Sequence, residues 1–226
     1  MCGRYVLNID LGEIATDFDA IDSSKGNWAW EPTFNICPTQ TVPVVAFDAK
    51  KRRKVVPMRW GLHAHWNRLG PKETKSAPLF NARLETASDK ASFRTPWKRR
   101  RAIIPASHWY EWTGEQGGKI PWCIKPEHEG IFAFAGLWDQ WRVDEGITLL
   151  SCTILTTQSD GPTTRLHHRM PVRLSRDYWD QWLDPEISPD QTIANRQTGE
   201  DLIFWEVGRA VNSNRASGLE LIAPSV

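Results

Sequence analysis

The sequence predicts a single domain, residues 1–226, in which strands outnumber helices. Three observations predict it. Apolar residues fall mostly in short runs or alternations of strand length, and only a few short stretches follow helical spacing. Nothing alternates strand, helix, strand, which excludes a parallel doubly wound sheet. The 226 residues are 40% hydrophobic and contain no repeat, low-complexity tract or linker, which suits one sizeable core.

Taken in order, the chain opens on a strand-like run, CGRYVLNI. Leu11, Ile14, Ala15 and Phe18 then recur at helical spacing behind Asp10, a good N-cap. Residues 19–33 are polar and contain Pro, so they read as a loop. FNICPTQTVPVVAF is an apolar run that ends in a hairpin at Asp48–Lys51, and Lys54 to Trp60 is the next strand. Residues 61–78 carry Gly, Pro and scattered charge without period, which marks a loop of functional length.

Phe80 to Thr86 leads into a helical stretch ending near Phe93. Ala102–Ala106 and Trp109–Thr113 are short strands, and a turn at Gly114–Gly118 makes a hairpin with Pro121–Lys125. Ile131–Trp138 and Ile147–Thr157 form a longer hairpin across residues 143–146. Met170–Leu174 is a further strand. Ser175 precedes a short amphipathic helix to Leu183 that carries Tyr178, Trp179 and Trp182, and a second helix spans Asp190–Asn195 after Pro189. Phe204–Val211 is strand-like.

Composition excludes several classes of function. The 28 Lys and Arg nearly balance 27 Asp and Glu, so a nucleic-acid site must be a local patch. Cysteines 2, 37, 123 and 152 form no CxxC pair, which argues against a structural zinc site and a disulfide framework. No basic-then-apolar leader and no membrane-spanning apolar run occurs, so an intracellular protein is expected. Thirteen Trp against three Tyr is unusual. Most of these rings should fill the core, and some can stack on unpaired bases.

The residues with the sharpest chemistry stand at the amino end, in Met1-Cys2-Gly3-Arg4-Tyr5. Loss of Met1 would leave Cys2 with a free α-amine (ordinary pKa about 7.7–8.0) and a thiol (about 8.5) on adjacent carbons. Such a 1,2-aminothiol captures aldehydes as a Schiff base and closes to a thiazolidine. No internal cysteine can do this.

Four further stretches concentrate polar groups. In the first, Asn81 is either a cap or a site amide, and Arg83 and Glu85 are either solvated or functional. In Trp109-Tyr110-Glu111-Trp112, strand alternation puts Glu111 on the face of Trp109, opposite Tyr110 and Trp112. A carboxyl among indoles is desolvated and raised toward neutrality, whereas one at an exposed strand edge is not. In His167-His168-Arg169 either imidazole can pass protons, but no third ligand at metal spacing accompanies them. Val211-Asn212-Ser213-Asn214-Arg215 can hold a substrate backbone or simply turn. Basic runs at Lys50–Lys54 and Lys98–Arg101, interleaved with Trp60, Trp66 and Trp109, can line a phosphate groove or be ordinary solvated surface.

Together MCGRY, FNICPTQ, MRWGL, FNARLET, WYEW, LHHRMP and GRAVN, in this order along the whole chain, resemble the SOS response-associated peptidase (SRAP) family. The resemblance implies one α+β domain around a strongly curved, barrel-like antiparallel sheet with short flanking helices. It also implies an abasic-site processing activity, in which the N-terminal cysteine crosslinks to abasic sites in single-stranded DNA and shields them. Carried across, Cys2 is the nucleophile, Asn81 contacts the reacting sugar or Cys2, Glu111 is the acid/base and His167 assists opening of the sugar. Arg4, Trp60, Trp66, Arg83, Trp112, Arg169, Asn212 and Ser213 are the implied DNA contacts.

Two departures from the family pattern bear on these roles. Relatives commonly read His-Asp-Arg where this chain has His167-His168-Arg169, and Ala-Asp-Gly where it has Ala106-Ser107-His108, which adds His108 as a further proton carrier. No cofactor, metal or membrane partner is expected. The expected state is a monomer in the cytoplasm or nucleoid, or in the nucleus of a eukaryote. Two other readings compete: a peptidase that removes its own Met1, and a non-covalent reader of modified or single-stranded DNA.

Overall fold

The computed structural model describes residues 2–225 apart from 25, 27, 72, 74–76, 116–117, 129, 144–146, 194 and 195. In chain order the elements begin with β1 (Tyr5–Leu7), α1 (Leu11–Asp17), β2 (Ile21–Asp22), β3 (Thr33–Ile36), β4 (Thr41–Phe47) and β5 (Arg53–Trp60). They continue with β6 (Asn81–Arg83), α2 (Leu84–Ala87), α3 (Arg94–Arg99), β7 (Arg101–Ala106), β8 (His108–Thr113) and β9 (Ile120–Pro126). Next come β10 (Phe132–Val143), β11 (Ile147–Gln158), β12 (Arg169–Pro171), β13 (Arg173–Leu174), α4 (Trp179–Leu183), α5 (Pro189–Ile193), β14 (Arg196–Gln197) and β15 (Leu202–Glu206).

Strands β5, β4, β7, β10 and β11 close into a ring. Chain direction around a closed ring must reverse an even number of times, so five strands cannot all be antiparallel neighbours. The odd pairing is β11 with β5, parallel at Ser151↔Arg59 and Cys152↔Trp60. The barrel expected from the sequence is thus present, with a parallel seam inside an otherwise antiparallel ring. Its interior is crowded: a Cβ on Gly136 of β10 would meet Ile104 Cδ1 at 2.8 Å.

A second, five-stranded sheet, in the order β15-β9-β8-β1-β3, lies beside the barrel. Alternation along β8 assigns its two faces. Trp109 joins the main core with Tyr5, Trp60, Phe132 and Phe134, whereas Tyr110 joins a small outer cluster with Val6, Cys123, Val207, Val211 and Leu221. Trp60 and Tyr5 meet edge to face at 5.1 Å between centroids, a geometry favoured by the ring quadrupoles. Six of the thirteen Trp are buried, and Trp66 is the exposed one.

Local signals account for several elements. Asp10 and Glu13 form a reciprocal capping box at the start of α1, each side chain accepting the other's backbone N–H at 2.9 Å. The hairpin at residues 48–51 is present, with Lys51 at φ 56°. The loop of the longer hairpin lies partly outside the described residues, as does the Gly114–Gly118 turn.

Other expectations are corrected. The helix read to Phe93 stops at Ala87, because Lys90 to Phe93 form turns before α3. Ser175 precedes a 3-10 turn but makes no side-chain capping bond. The tail is strand only over Leu202–Glu206 and then coils into a 3-10 turn at Arg209–Asn212. The end of the second helix, Asn195, lies outside the described residues. Among the described residues, no helix is long and apolar enough to cross a membrane.

Candidate active site

The site forms where the second sheet meets the far half of β11. Strand β1 pairs with β8 at Tyr5↔Trp109 and Val6↔His108, and Tyr110 N donates to Arg4 O at 3.0 Å. Carried one step further, this register runs Glu111 alongside Gly3, next to Cys2. On the barrel side, β6 pairs in parallel with β11 at Ile154↔Asn81, and β12 pairs with it at Gln158↔Arg169. One strand thus positions both Asn81 and the residues that follow His167.

Cys2 is fully buried. Asn81 Nδ2 donates to the Cys2 carbonyl at 2.7 Å, so Asn81 anchors the amino end and is not a cap; the N-cap position of α2 is Arg83. Burial, joined by the nearby Glu111 charge, pushes the Cys2 thiol well above its ordinary range, so it is neutral at pH 7. Glu111 is itself only 4% exposed, and burial pushes its carboxyl up to about 7. The desolvated carboxyl expected beside Trp109 is therefore realised, and the exposed-edge alternative is excluded. A carboxyl titrating near neutrality can both give and take a proton.

His167 Nδ1 lies 2.9 Å from the Arg169 backbone N–H and 3.2 Å from Arg169 O; the tautomer that accepts the N–H carries its proton on Nε2. Burial holds this imidazole below the usual histidine range. His168 stacks on it, with centroids 4.3 Å apart. His108, by contrast, lies on the face of β8 opposite Glu111 and meets Trp205 edge on. Burial pushes its pKa down to about 4, so His108 does not serve as the extra proton carrier expected from the sequence.

The implied DNA contacts divide. Trp60 is fully buried, donates through Nε1 to Phe80 O at 2.9 Å and cannot stack on a base. It is a core residue, and so is Trp109. Trp66 is 53% exposed on the 61–78 loop. Arg83 is exposed. Arg169 makes a bidentate pair with Glu85 at 2.7 and 2.8 Å, which accounts for Glu85 as more than a solvated charge. Arg4 lies over the Trp112 ring at 5.7 Å and donates to Asn35 Oδ1 and to Val211 O. Trp112 Nε1 donates to Asn212 Oδ1 at 2.7 Å, and both Asn212 and Ser213 are exposed.

Five of the nine cations in the two basic runs are already engaged within the chain. Lys51 pairs with Asp184 and Glu186, Arg52 with Asp48, Arg53 with Asp180 and Arg100 with Asp139. Arg101 is buried and donates to the carbonyls of Trp97, Lys98, Trp182, Asp184 and Ile187. Three of these charges, Lys51, Arg53 and Arg101, stitch the barrel to the segment around α4.

Two residues were not singled out from the sequence. Buried Asn35 links Arg4 to the carbonyls of Ser213 and Ala216, tying the amino end to the C-terminal tail. The Tyr5 hydroxyl is buried and makes no hydrogen bond among the described residues; burial, with Cys152 and Cys2 nearby, raises the phenol further. Both lie in stretches that carry the family resemblance, MCGRY and FNICPTQ. Among the described residues, no group of three or more His, Cys, Asp or Glu is placed to hold a metal ion.

The fold and site define a strand-rich α+β protein whose Cys2 is buried beside an amide and a near-neutral carboxyl. Residues 1–214 match the family model described as SOS response associated peptidase (SRAP), and the chain belongs to that family. It is 35% identical over 226 residues to Abasic site processing protein YoaM of Bacillus subtilis, covering 98% of this chain and 97% of that one. It is 29% identical over 270 residues to Abasic site processing protein HMCES of Pongo abelii, covering 99% and 76%. A crystal structure of a Bacteroides thetaiotaomicron protein superposes with a TM-score of 0.87 at 22% identity over the whole of both chains, showing the same fold. One from Bordetella bronchiseptica gives 0.74 at 26% identity, covering 92% and 100%.

Proposed function

We propose that the chain processes abasic sites in single-stranded DNA by forming a thiazolidine between Cys2, freed by loss of Met1, and the ring-opened sugar aldehyde. The observation that carries the proposal is the placement of Cys2. Its carbonyl is held by Asn81 at 2.7 Å, beside a Glu111 whose carboxyl is pushed up to about 7.

An abasic sugar exists mainly as a closed hemiacetal. His167, with its proton on Nε2, delivers that proton to the ring oxygen as the C1 hydroxyl gives its own to the Glu111 carboxylate, and the aldehyde opens. The Cys2 amine then adds to the carbonyl carbon. Glu111 protonates the departing hydroxyl, water leaves and an imine remains. The Cys2 thiol adds to the imine carbon, and its proton passes to nitrogen. In balance, aldehyde and aminothiol give thiazolidine and one water. The buried thiol is neutral, so the amine acts first and the thiol reacts only once the imine is beside it. Closure removes the electrophilic imine that would otherwise promote strand scission. A single strand suits a buried nucleophile, because the lesion reaches it without the few kcal/mol of unstacking.

Asn81 holds the carbonyl of Cys2 at 2.7 Å and so anchors the amino end. The test uses a labelled single-stranded oligonucleotide carrying one abasic site. Wild type should give a denaturant-stable adduct whose intact mass is the sum of Met1-less protein and DNA less one water. Cys2→Ala should give none, and Cys2→Ser at most a borohydride-trappable imine. A stable adduct from Cys2→Ala would refute the chemistry.

A further inference from the structure

Beyond His167 the surface opens into a cavity of about 410 Å³ lined by Gln158, Ser159, Thr164, His168 and Arg169. Its polar groups are mostly donors. Ser159 is 8% exposed, and its hydroxyl has no hydrogen-bond partner among the described residues. Arg169 spends one Nη1–H and both Nη2–H groups on Glu85 and Thr156 O, which leaves the second Nη1–H and Nε–H; Nε has no partner among the described residues. His168 and Gln158 are exposed at the rim. Thr164 Oγ1 donates to Gly161 O, so it contributes only acceptor capacity. No carboxylate lines the cavity. Glu85, the nearest one named by these contacts, is held on the far side of the guanidinium fork.

A buried hydroxyl and a buried guanidinium N–H left unmade are costly unless something fills them, because each has given up its water. Ser159, Arg169, His168 and Gln158 line this one cavity with donors of the kind that bind the oxygens of a singly charged phosphodiester. We propose that this cavity is a phosphate subsite for the DNA strand next to the lesion, with Ser159 and His168 as its working donors. The inference rests on the reading of the chain as an abasic-site processing protein, and it extends that reading from the sugar to the backbone beside it. His168 stacks on His167, so a phosphate seated here fixes the strand relative to the imidazole that faces the sugar.

The test separates binding from chemistry. Fluorescence anisotropy is read with a single-stranded oligonucleotide carrying a tetrahydrofuran abasic analogue, which forms no adduct, and with the same strand made neutral at one linkage at a time by methylphosphonate. One linkage beside the lesion should weaken wild-type binding about five- to tenfold when neutralised. Ser159→Ala and His168→Asn should weaken binding of the natural strand by a similar factor and lose sensitivity to that one linkage. His168→Asp should weaken it further by placing a negative charge at the rim. Ser159→Ala should melt no lower than wild type, since the hydroxyl has no partner to lose; His168, exposed, carries the test alone if that variant fails to fold.

Natural-strand affinity equal to wild type in both variants, or losses equal at every linkage, would overturn the subsite. Wild-type adduct formation with a true abasic strand is measured alongside. An adduct without the linkage signature removes the subsite alone; the signature without an adduct removes the crosslinking alone.

Discussion

Replacing Glu111 with Gln should stabilise the protein, and by an amount that depends on pH. The carboxyl has an ordinary pKa of 4.5 and is pushed up to about 7 by burial in the folded chain. Folding therefore favours its neutral form. The associated stability is fully present below the unfolded value and is lost as pH rises through the folded one. With about 1.4 kcal/mol for each tenfold change in proton affinity, the ionised wild type is penalised by about 3 kcal/mol at pH 7 and above. The same linkage leaves less than about 1 kcal/mol at pH 5 and almost nothing at pH 4. Gln has the same shape and no charge, so Glu111→Gln should match wild type near pH 4 and exceed it by about 3 kcal/mol at pH 8. For a chain of this size that is about 6–12 °C in melting temperature. Urea unfolding of both proteins at several pH values measures the difference directly. A gap that does not change with pH, or a Gln variant less stable at pH 8, would refute the buried near-neutral carboxyl on which the proton shuttle depends. The variant should crosslink slowly in spite of its added stability, because the group that costs stability is the one that moves the protons.

Other outcomes follow from the same geometry. Asn81→Ala frees the Cys2 carbonyl and should slow adduct formation about 100-fold, the scale expected when a reacting group shifts by about 1 Å, with little change in melting temperature. Trp66→Ala should weaken single-strand binding by about 1–3 kcal/mol, measured by anisotropy, if this exposed ring stacks on one base. Trp60→Ala should instead cost about 3–5 kcal/mol of folding stability, because its ring is wholly inside the core. Met1 should be lost from Glu111→Gln as completely as from wild type, read by intact-mass spectrometry; retention in the variant alone would favour self-processing.

How much of this was legible in the sequence depends on whether the signal was local. The capped helix at Asp10, the hairpin at residues 48–51 and the sidedness of β8 all follow from neighbours in sequence, and alternation alone put Glu111 with Trp109 and away from Tyr110. The failures came from long-range partners. Lys51 and Arg53 read as free surface cations until Asp184, Glu186 and Asp180 arrive from more than a hundred residues away. Trp60 and Trp66 are indistinguishable as residue types, and only the closure of the barrel decides that one is core and the other exposed. His108 and Glu111 are close in sequence, yet the odd spacing between them sends them to opposite faces, a consequence already contained in the alternation. Asn81 as an anchor for Cys2 was not readable from spacing, because the contact joins residues 79 positions apart.

The closure of the barrel also explains why the site sits where it does. A ring of five strands needs one parallel neighbour pair, and here that pair joins β11 to β5 over only two residue pairs before β5 ends at Trp60. Beyond it, the same edge of β11 is taken up by β6, again in parallel, while its other edge passes from β10 to β12. Strand β11 thus changes both partners over its last five residues, and each replacement is a three-residue strand that begins at or just after a site residue, Asn81 on one edge and His167 ahead of Arg169 on the other. Short strands of this kind contribute few ladder bonds of their own. They are held by side chains instead: Arg169 to Glu85 and Thr156 O, Thr156 Oγ1 to Ala82 O. Cutting the Arg169 fork should therefore loosen Asn81 and His167 together while the five-stranded ring stays intact. Glu85→Ala should speed amide exchange in β6 and β12 ahead of β4 and β5, and uniform exchange across all four strands would show that the site has no such separate support.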